Sequence, residues 1–334
     1  MHTWNTTLFA LLLSAAVVGS AHGQRFDGFN VVVTSNHPFG SVSAERALAA
    51  AKRLGATTVA IIPFLWQPNA LSPDIQSGND MADDALRQGI RQARKLGFLV
   101  IVKPHVWVPE SWAGAVVSNS ELSWTNWFMR YRLEIQRIGR IASEEGAVAL
   151  SIGTELAKTT HRPEWIEVIA TARAVFPRTL FYVAHNIEEA EAVPFWAQLD
   201  KIGVSLYPPL GADDDRASRI AAMKAVVDRL DLLSTRIGKT IIVGEIGLRS
   251  ARGAAAKPWE SAEERTALPD QQLQANVLTD WLAVLKRPAI EGVLIWRWFT
   301  DPAAGGAQDT DFTVQGKQAE KVFLCAWAAV CRGP

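Results

Sequence analysis

The sequence has no excess of charge of either sign and almost no cysteine. Lys and Arg together number 34, and so do Asp and Glu, so the net charge points to neither nucleic acid, an anionic membrane surface nor an acidic tail. A neutral polymer or small molecule suits this balance better as a ligand. The two cysteines, Cys325 and Cys331, lie six residues apart near the C-terminus. They either form a disulfide, which export would allow, or remain free thiols.

Several motifs of cofactor and metal chemistry are also missing. No His-x-His follows the first predicted strand and no His-Glu-x-x-His is present, which argues against a metal-dependent hydrolase. A phosphate loop, a haem motif and a dinucleotide fingerprint are equally absent from the sequence. We therefore expect no cofactor and no metal. The sequence gives no indication of oligomeric state.

The N-terminal apolar segment is too short to be a membrane span. It runs from Leu8 to Val18 and is followed by the small residues of Ser20 to Gly23, where a signal peptidase would cut. This pattern predicts a signal peptide over residues 1–23 and a periplasmic or secreted protein with no membrane span after cleavage. No Lys or Arg precedes the run, so a short buried helix or a membrane anchor remains the alternative.

The rest of the chain alternates short β-branched runs with longer amphipathic segments. Its 334 residues are 49% hydrophobic and 20% charged, as in ordinary globular proteins. Near-continuous Val and Ile favour parallel strands that are covered on both faces. The predicted strands are Phe29 to Val33, Thr58 to Phe64, Leu99 to His105, Ala149 to Glu155, Leu180 to His185, Lys201 to Tyr207, Thr240 to Glu245 and Gly292 to Phe299.

The segments between these runs are predicted to be helices. Several end on glycine, as at Gly55, Gly97, Gly146 and Gly238, which is a common helix stop. Eight strand and helix pairs without a linker predict an α/β fold, a single-domain (β/α)8 TIM barrel over residues 24–334. An open doubly wound sheet is the rival, but it predicts a glycine-rich turn after the first strand, and Thr34 to His37 is not one. The predicted helices are Ala44 to Leu54, Asp83 to Leu96, Trp124 to Glu145, Pro163 to Val175, Arg216 to Arg236, Gln271 to Leu285 and Lys317 to Val330.

Functional side chains in such barrels lie at the carboxyl ends of the strands. Only two carboxylates directly end predicted strands, Glu155 in Ser-Ile-Gly-Thr-Glu-Leu and Glu245 in Ile-Val-Gly-Glu-Ile-Gly. Burying such a residue is costly without a role, although pairing with Arg249 or Arg297 is an alternative explanation. The other strand-end candidates for ligand contact are Asn30, Trp66, Lys103, His105, Trp107, His185, Asn186, Tyr207, Trp296 and Trp298.

Two carboxylates facing one barrel mouth are typical of acetal cleavage by a proton donor and a nucleophile. A separation of ~5 to 5.5 Å between the carboxyl groups favours retention of configuration, and ~6.5 to 9.5 Å favours inversion. Burial beside a second carboxylate is expected to raise the pKa of the donor, while its partner stays ionised. The 13 Trp residues offer faces that can stack on sugars, although core packing is their commoner use.

These motifs resemble clan A glycoside hydrolases, and most closely glycoside hydrolase family 113, the β-mannanase-like group. The resemblance covers Gly28 to about Phe323 and is carried by four segments. They are Gly-Thr-Glu-Leu ending at Leu156, Gly-Glu-Ile-Gly ending at Gly247, Lys-Pro-His ending at His105, and Trp-Arg-Trp ending at Trp298.

The resemblance implies a role for several residues. Glu155, on the fourth strand, would be the acid/base and Glu245, on the seventh, the nucleophile. Tyr207 would hydrogen-bond the nucleophile, and Trp296 would form the floor of the cleavage subsite. Thr154 is a further candidate for substrate contact. It stands where many clan members carry an Asn that contacts the sugar 2-OH, so that particular contact is not carried over.

The resulting hypothesis is a retaining glycosidase that acts on a β-linked glycan, such as β-1,4-mannan or a related oligosaccharide. The alternative is a catalytically inactive carbohydrate-binding barrel that serves polysaccharide assembly or sensing. The long segment from Arg249 to Pro269, which contains Trp259, is either a lid or subsite wall or a plain surface loop. The sequence leaves open the identity of the sugar, the number of subsites and the choice between endo and exo attack.

Overall fold

The computed structural model describes residues 25–78 and 81–330. The predicted signal peptide and Cys331 lie outside these residues, so the predictions that depend on them stay predictions. The strands in chain order are β1 (Gly28–Val32), β2 (Thr58–Ile61), β3 (Phe64–Trp66), β4 (Gln76–Ser77), β5 (Leu99–Val102), β6 (His105–Trp107), β7 (Ala149–Thr154), β8 (Thr179–Ala184), β9 (Lys201–Ser205), β10 (Ile241–Ile246) and β11 (Ile290–Phe299).

Helices connect most of these strands. In chain order they are α1 (Val42–Arg53), α2 (Asp83–Lys95), α3 (Glu121–Glu144), α4 (Trp165–Val175), α5 (Ile187–Ala192), α6 (Arg216–Ile237), α7 (Gln271–Val284) and α8 (Glu320–Ala326). Within the described ranges, no helix is both long enough and apolar enough to cross a membrane.

Eight of the strands close into a parallel barrel in the order β1, β2, β5, β7, β8, β9, β10, β11. The first and last strands pair with each other, with Gly28 opposite Leu294 and Val32 opposite Phe299. The predicted (β/α)8 barrel in a single domain is therefore confirmed. Each predicted apolar run supplies one barrel strand.

Two predicted strands are shorter than expected because proline interrupts them. The runs that begin at Thr58 and Leu99 leave the barrel before Pro63 and Pro104, since proline has no N–H to donate to a strand ladder. Beyond the prolines, β3 and β6 pair in parallel, and β4 adds to β3 to form a small second sheet. This sheet extends the second and third barrel strands past the barrel rim.

The glycines predicted to end helices do follow helix ends in the structure. Gly55, Gly97, Gly146 and Gly238 follow helix ends and all have positive φ, which glycine adopts without a Cβ clash. One helix was not predicted: α5 is only six residues long, too short for an amphipathic pattern to stand out. It begins directly after His185-Asn186, with Asn186 as its N-cap.

The core has two layers, as strand alternation requires. One cluster fills the barrel, and a larger one packs the outward strand faces against the helices. The inner cluster consists of Val32, Ala60, Ile62, Ile101, Ala149, Phe181, Val183, Ile242 and Leu294. Because this plug fills the barrel interior, ligands have access to the rim at the carboxyl ends of the strands.

Candidate active site

Glu155 lies directly after β7 in an unusual backbone conformation. Its φ is +57°, in the left-handed region that residues with a Cβ rarely adopt. The pairing of β7 with β8 shifts register between Ser151 and Thr154, and the Glu155 N–H donates to Val183 O at 2.8 Å. Such conformations persist only where the surrounding structure holds them, and they cluster at functional sites.

Glu245 lies near the end of β10, and its two carboxylate oxygens have different partners. Lys103, fully buried just after β5, forms an ion pair with Oε1. The Tyr207 hydroxyl donates to Oε2 at 3.3 Å. Burial first, and then the charges of Glu245 and Glu155, raise the pKa of Tyr207 well above its ordinary value, so this hydroxyl stays a donor.

Glu155 has a histidine as its ionic partner. His185 Nδ1 lies 3.3 Å from Glu155 Oε2. The imidazole also packs against Trp112, with 4.4 Å between the ring centroids. Trp112 lies so close over Gly114 that a Cβ there would be 2.0 Å from the indole.

The charges of this pair depend on each other. Burial alone would raise the pKa of the Glu155 carboxyl, but His185, His105 and Ser205 together hold it below its ordinary value. Burial alone would lower the pKa of His185, but Glu155 and two further carboxylates raise it. The direction for Glu155 is opposite to the one expected from burial beside a second carboxylate. These directions favour an imidazolium on His185 beside a carboxylate on Glu155, and the titration of each group depends on the charge of the other.

The two carboxylates lie near the same side chains at the ends of the barrel strands. The charges of Glu155 and Glu245 both act on Tyr207, and both raise the pKa of His185. Ser205 is the register partner of Glu245 across β9 and β10, and it also lowers the pKa of Glu155. Two acids with separate ionic partners at one barrel mouth are suited to donor and nucleophile roles.

Asn30 and Trp296 border the nucleophile side of the cleft. Asn30 is fully buried on β1 and donates from Nδ2 to Gly244 O at 3.0 Å, while its Oδ1 has no hydrogen-bond partner among the described residues. The Trp296 ring centroid is 5.6 Å from Lys103 Nζ, and the peptide between Trp296 and Arg297 is cis.

Trp66, Trp107 and His105 lie on the small second sheet. Trp66 and Trp107 are register partners with ring centroids 5.9 Å apart, and they are 40% and 45% exposed. His105 packs against Phe64 at 5.9 Å and has its Nδ1 3.1 Å from Val106 O. These rings form an aromatic surface beside the cleft that could stack on sugar residues.

Three residues predicted to contact the ligand instead have their polar groups hydrogen-bonded to other parts of the protein. Trp298 is 1% exposed and donates to Ala47 O at 3.1 Å, so it packs against α1 outside the cleft. This position corrects the prediction for Trp298. On a regular strand the two Trp of Trp-Arg-Trp would share a face, but the register of β11 against β1 shifts between the partners of Phe29 and Val31, and Trp298 lies on the outer face. The Thr154 hydroxyl donates to Pro104 O at 2.9 Å, and the Asn186 side chain caps α5.

The alternative pairing of the catalytic candidates with arginine is not what the structure shows. Arg297 pairs with Asp311 at 2.7 Å. Arg249 donates to Thr310 O at 3.0 Å and to Ser261 O at 2.9 Å. Both arginines therefore anchor the loops that follow β10 and β11.

Sequence reasoning missed Trp112, Ser205 and Glu189. Trp112 lies in an irregular loop, where no periodicity marks a functional residue. Ser205 ends β9 and could have been found by the strand-end rule that identified the other candidates. Glu189 follows Asn186 at the spacing of a helix cap, which indicates a helix start but not the burial of the carboxyl.

Comparisons with solved structures agree with this fold. AaManA, a family 113 β-mannanase from Alicyclobacillus acidocaldarius in complex with ManMIm, superimposes with a TM-score of 0.82 at 22% identity, over 94% of this chain and 100% of that one. A complex structure of a family 113 β-1,4-mannanase gives 0.82 at 23% identity, over 92% and 100%. A β-glucuronidase from Ruminococcus gnavus in complex with D-glucuronic acid gives 0.59 at 13%, over 91% and 49%.

No curated protein matches this chain. The sequence profile of Glycoside Hydrolase Family 113, however, matches residues 30–317, which is most of the chain and includes both strand-end carboxylates. The chain therefore belongs to glycoside hydrolase family 113 and is a glycosidase.

Proposed function

We propose that this glycosidase is a retaining β-mannanase, with Glu155 as acid/base and Glu245 as nucleophile. The observation that carries the assignment is the division of partners: Lys103 and Tyr207 engage both oxygens of Glu245, whereas Glu155 lies 3.3 Å from His185, a group that can hold and release a proton. A nucleophile must stay ionised and oriented, and an acid/base must gain and lose a proton. The mannan specificity is supported by the family and by the mannanase structures with the same fold.

The first step forms a glycosyl-enzyme. Glu245 Oε2 or Oε1 attacks the anomeric carbon, the bond to the leaving oxygen breaks, and that oxygen takes the proton from Glu155. Tyr207 and Lys103 hold the attacking carboxylate in place, which reduces the entropy cost of reaching the transition state.

The second step releases the sugar. Glu155, now a carboxylate, removes a proton from water while the water oxygen attacks the anomeric carbon and the ester bond to Glu245 breaks. The two displacements together retain the anomeric configuration. Because the titrations of Glu155 and His185 depend on each other, the alkaline limb of activity belongs to the pair rather than to one residue.

Trp112 stands on the leaving-group side of this site. Its ring contacts His185, the partner of the proton donor, and it is 42% exposed. The donor must lie beside the oxygen that links the departing sugar, so an exposed indole next to it can stack on that sugar. Trp296, near Lys103, lies instead on the side of the nucleophile.

The assignment is tested with β-1,4-manno-oligosaccharides and aryl β-mannosides. We expect turnover with a β-configured first product by NMR, and a fall of about 10⁴-fold or more in kcat for Glu245→Ala. Added azide should then yield an α-glycosyl azide with Glu245→Ala and a β-glycosyl azide with Glu155→Ala. Tight glycan binding without turnover would instead identify a binding barrel, and an α-configured first product would exclude the retaining mechanism.

We also propose that the protein is exported. The support is the apolar run from Leu8 to Val18 followed by small residues. N-terminal sequencing of the protein recovered from its host should begin near Gln24, and an intact Met1 would contradict the proposal.

A further inference from the structure

Glu189 is a buried carboxylate beside the site that the hydrolytic steps do not use. It lies on α5 and is 8% exposed. Its Oε1 accepts from the Tyr182 hydroxyl at 2.6 Å, and its Oε2 accepts from the main-chain N–H of His185 at 2.7 Å. Glu189 therefore ties the residue that contacts Glu155 to the strand behind it.

The carboxylates of this region outnumber its cations. Glu245 has Lys103 and Glu155 has His185, but no Lys or Arg forms an ion pair with Glu189 in the described parts of the chain. A third negative charge in a buried region favours retention of a proton nearby. His185, whose main-chain N–H donates to Glu189, is a neighbouring group that can take this proton.

The groups around this pair come from every neighbouring element. The negative charges of Glu189 on α5, Glu155 after β7 and Glu245 on β10 raise the pKa of His185. His105 on β6 lowers the pKa of Glu155, and Tyr131 on α3 raises the pKa of Tyr182.

The other two acids of α5 point away from the site. Glu188 and Glu191 form ion pairs with Arg229 of α6 on the outer surface, at 2.6 and 2.7 Å. Glu189 is thus the acid of this helix that faces β8 and the main chain of His185.

We propose that Glu189 is a positioning residue for the proton donor: it fixes the main chain of His185, and its negative charge keeps a proton on the pair formed by His185 and Glu155. This inference rests on the proposed function, in which Glu155 delivers that proton to the leaving group. Without Glu189 the imidazole would lose both its anchor and part of the charge that favours its cationic form.

The titration of Glu189 agrees with this role. Burial is the main cause that raises its pKa to about 7, whereas the hydrogen bonds from Tyr182 and from the His185 N–H lower it. Above this pH the carboxyl is charged and raises the pKa of His185. In a variant with a neutral side chain the pair should therefore release its proton at lower pH.

The test is the pH profile of kcat/KM on a manno-oligosaccharide for wild type and Glu189→Gln. Glutamine carries no charge, and it can accept from the His185 N–H through its oxygen while its NH2 group donates to the Tyr182 oxygen. The alkaline limb should therefore move to lower pH by about half a unit or more, as expected for one charge a few ångströms away. Tyr182→Phe removes a donor to Glu189 and should give a smaller shift in the same direction. Glu188→Gln, one residue earlier on the same helix, should leave the profile unchanged.

The outcomes separate the two proposals. An unshifted alkaline limb in Glu189→Gln, or a loss of rate that is equal at every pH, overturns the role of Glu189 while the assignment of Glu155 stands. If Glu189→Gln does not fold, the pH profile of Tyr182→Phe decides: an unshifted alkaline limb of kcat/KM in that variant overturns the role of Glu189. If Glu155→Ala loses no more activity on a poor leaving group than on 2,4-dinitrophenyl β-mannoside, the proposed function itself fails.

Discussion

The backbone of Glu155 shows how this chain combines a catalytic role with local strain. A left-handed conformation costs a residue with a Cβ roughly 1 kcal/mol or more, and glycine avoids this cost. The register shift before Glu155 and the hydrogen bond of its N–H to Val183 hold it there. The conformation turns the carboxyl from the strand end toward His185. Stability is thus lost at the position where the proton donor is needed.

A comparison of two substitutions at this position measures that cost. We expect Glu155→Gly to be more stable than Glu155→Ala by about 1 kcal/mol, because glycine accepts the φ of +57°. At Glu245, which lies within β10, the order should reverse, since glycine weakens a strand interior. Chemical denaturation of the four variants measures both differences, and the same order at the two sites would contradict the argument.

Trp112 gives a second prediction for a single residue. Trp112→Ala should lower kcat/KM for manno-oligosaccharides by about tenfold, because a stacking surface for the leaving sugar is lost. The effect should be much smaller for an aryl mannoside that is cleaved without a departing sugar. Leu232→Ala, at a 71% exposed position on α6, should behave as wild type with both substrates. Equal losses on the two substrates would place Trp112 in support of His185 instead.

Individual site residues were predictable only where the strand-end rule applies. Glu155, Glu245, Lys103 and Tyr207 all follow or end apolar runs, so the barrel geometry predicts that they converge. The sequence did not show that Lys103 would pair with Glu245 or that His185 would pair with Glu155. Those pairings depend on the loop conformations and on the inward or outward direction of each side chain.

At the scale of elements, glycine allows the strand ends around the nucleophile to approach closely. A Cβ on Gly247 would lie 2.5 Å from the carbonyl oxygen of Trp296, and a Cβ on Gly244 would lie 2.8 Å from Val183. The segment that carries Glu245 therefore packs against both of its neighbours through glycine. The structure thus explains why Gly244 and Gly247 flank Glu245: a larger residue at either position would collide with another strand.

Substitution of Gly247 should disturb the site through β11. Gly247→Ala forces the new methyl group against the backbone of Trp296, so we expect a loss of about 1–3 kcal/mol in stability and a clear fall in kcat/KM. Gly238→Ala is a matched control: this position has a φ of +73° and no atom within 4 Å of an added Cβ. It should cost about 1 kcal/mol and leave kcat/KM unchanged. An unaltered kcat/KM in Gly247→Ala would show that the strand end adjusts without moving Trp296.

The elements themselves were predicted well because their signals are local. Near-continuous Val and Ile mark the eight barrel strands, and four glycines at helix ends have the expected positive φ. The errors have physical causes: Pro63 and Pro104 divide two runs, and α5 is too short to show a periodic pattern. The small sheet of β3, β4 and β6 depends on pairing between distant segments, which local patterns do not encode.

At the scale of the whole molecule, closure of the barrel brings together the first and last elements of the described chain. The Arg25 guanidinium donates to Ile290 O at 2.7 Å, and the Phe26 N–H donates to Glu291 O at 3.0 Å. On the outer face, Phe29 of β1 contacts Trp298 of β11 at 4.9 Å between ring centroids and Phe323 of α8 at 5.2 Å. The position of Trp298 in this aromatic cluster explains why it is not available to a ligand.

The aromatic cluster predicts that stability and catalysis can be separated by one substitution. Phe323 is fully buried, so Phe323→Ala should lower the free energy of unfolding by about 3–5 kcal/mol and the melting temperature by several degrees. The cluster lies behind the strands, while Glu155 and Glu245 lie at the rim, so KM and kcat at low temperature should match wild type. Leu232→Ala, at the 71% exposed position on α6, provides a control with little effect on melting. A rise in KM for Phe323→Ala at a temperature where it is fully folded would mean that α8 supports the cleft directly, since β11 carries both Trp298 and Trp296.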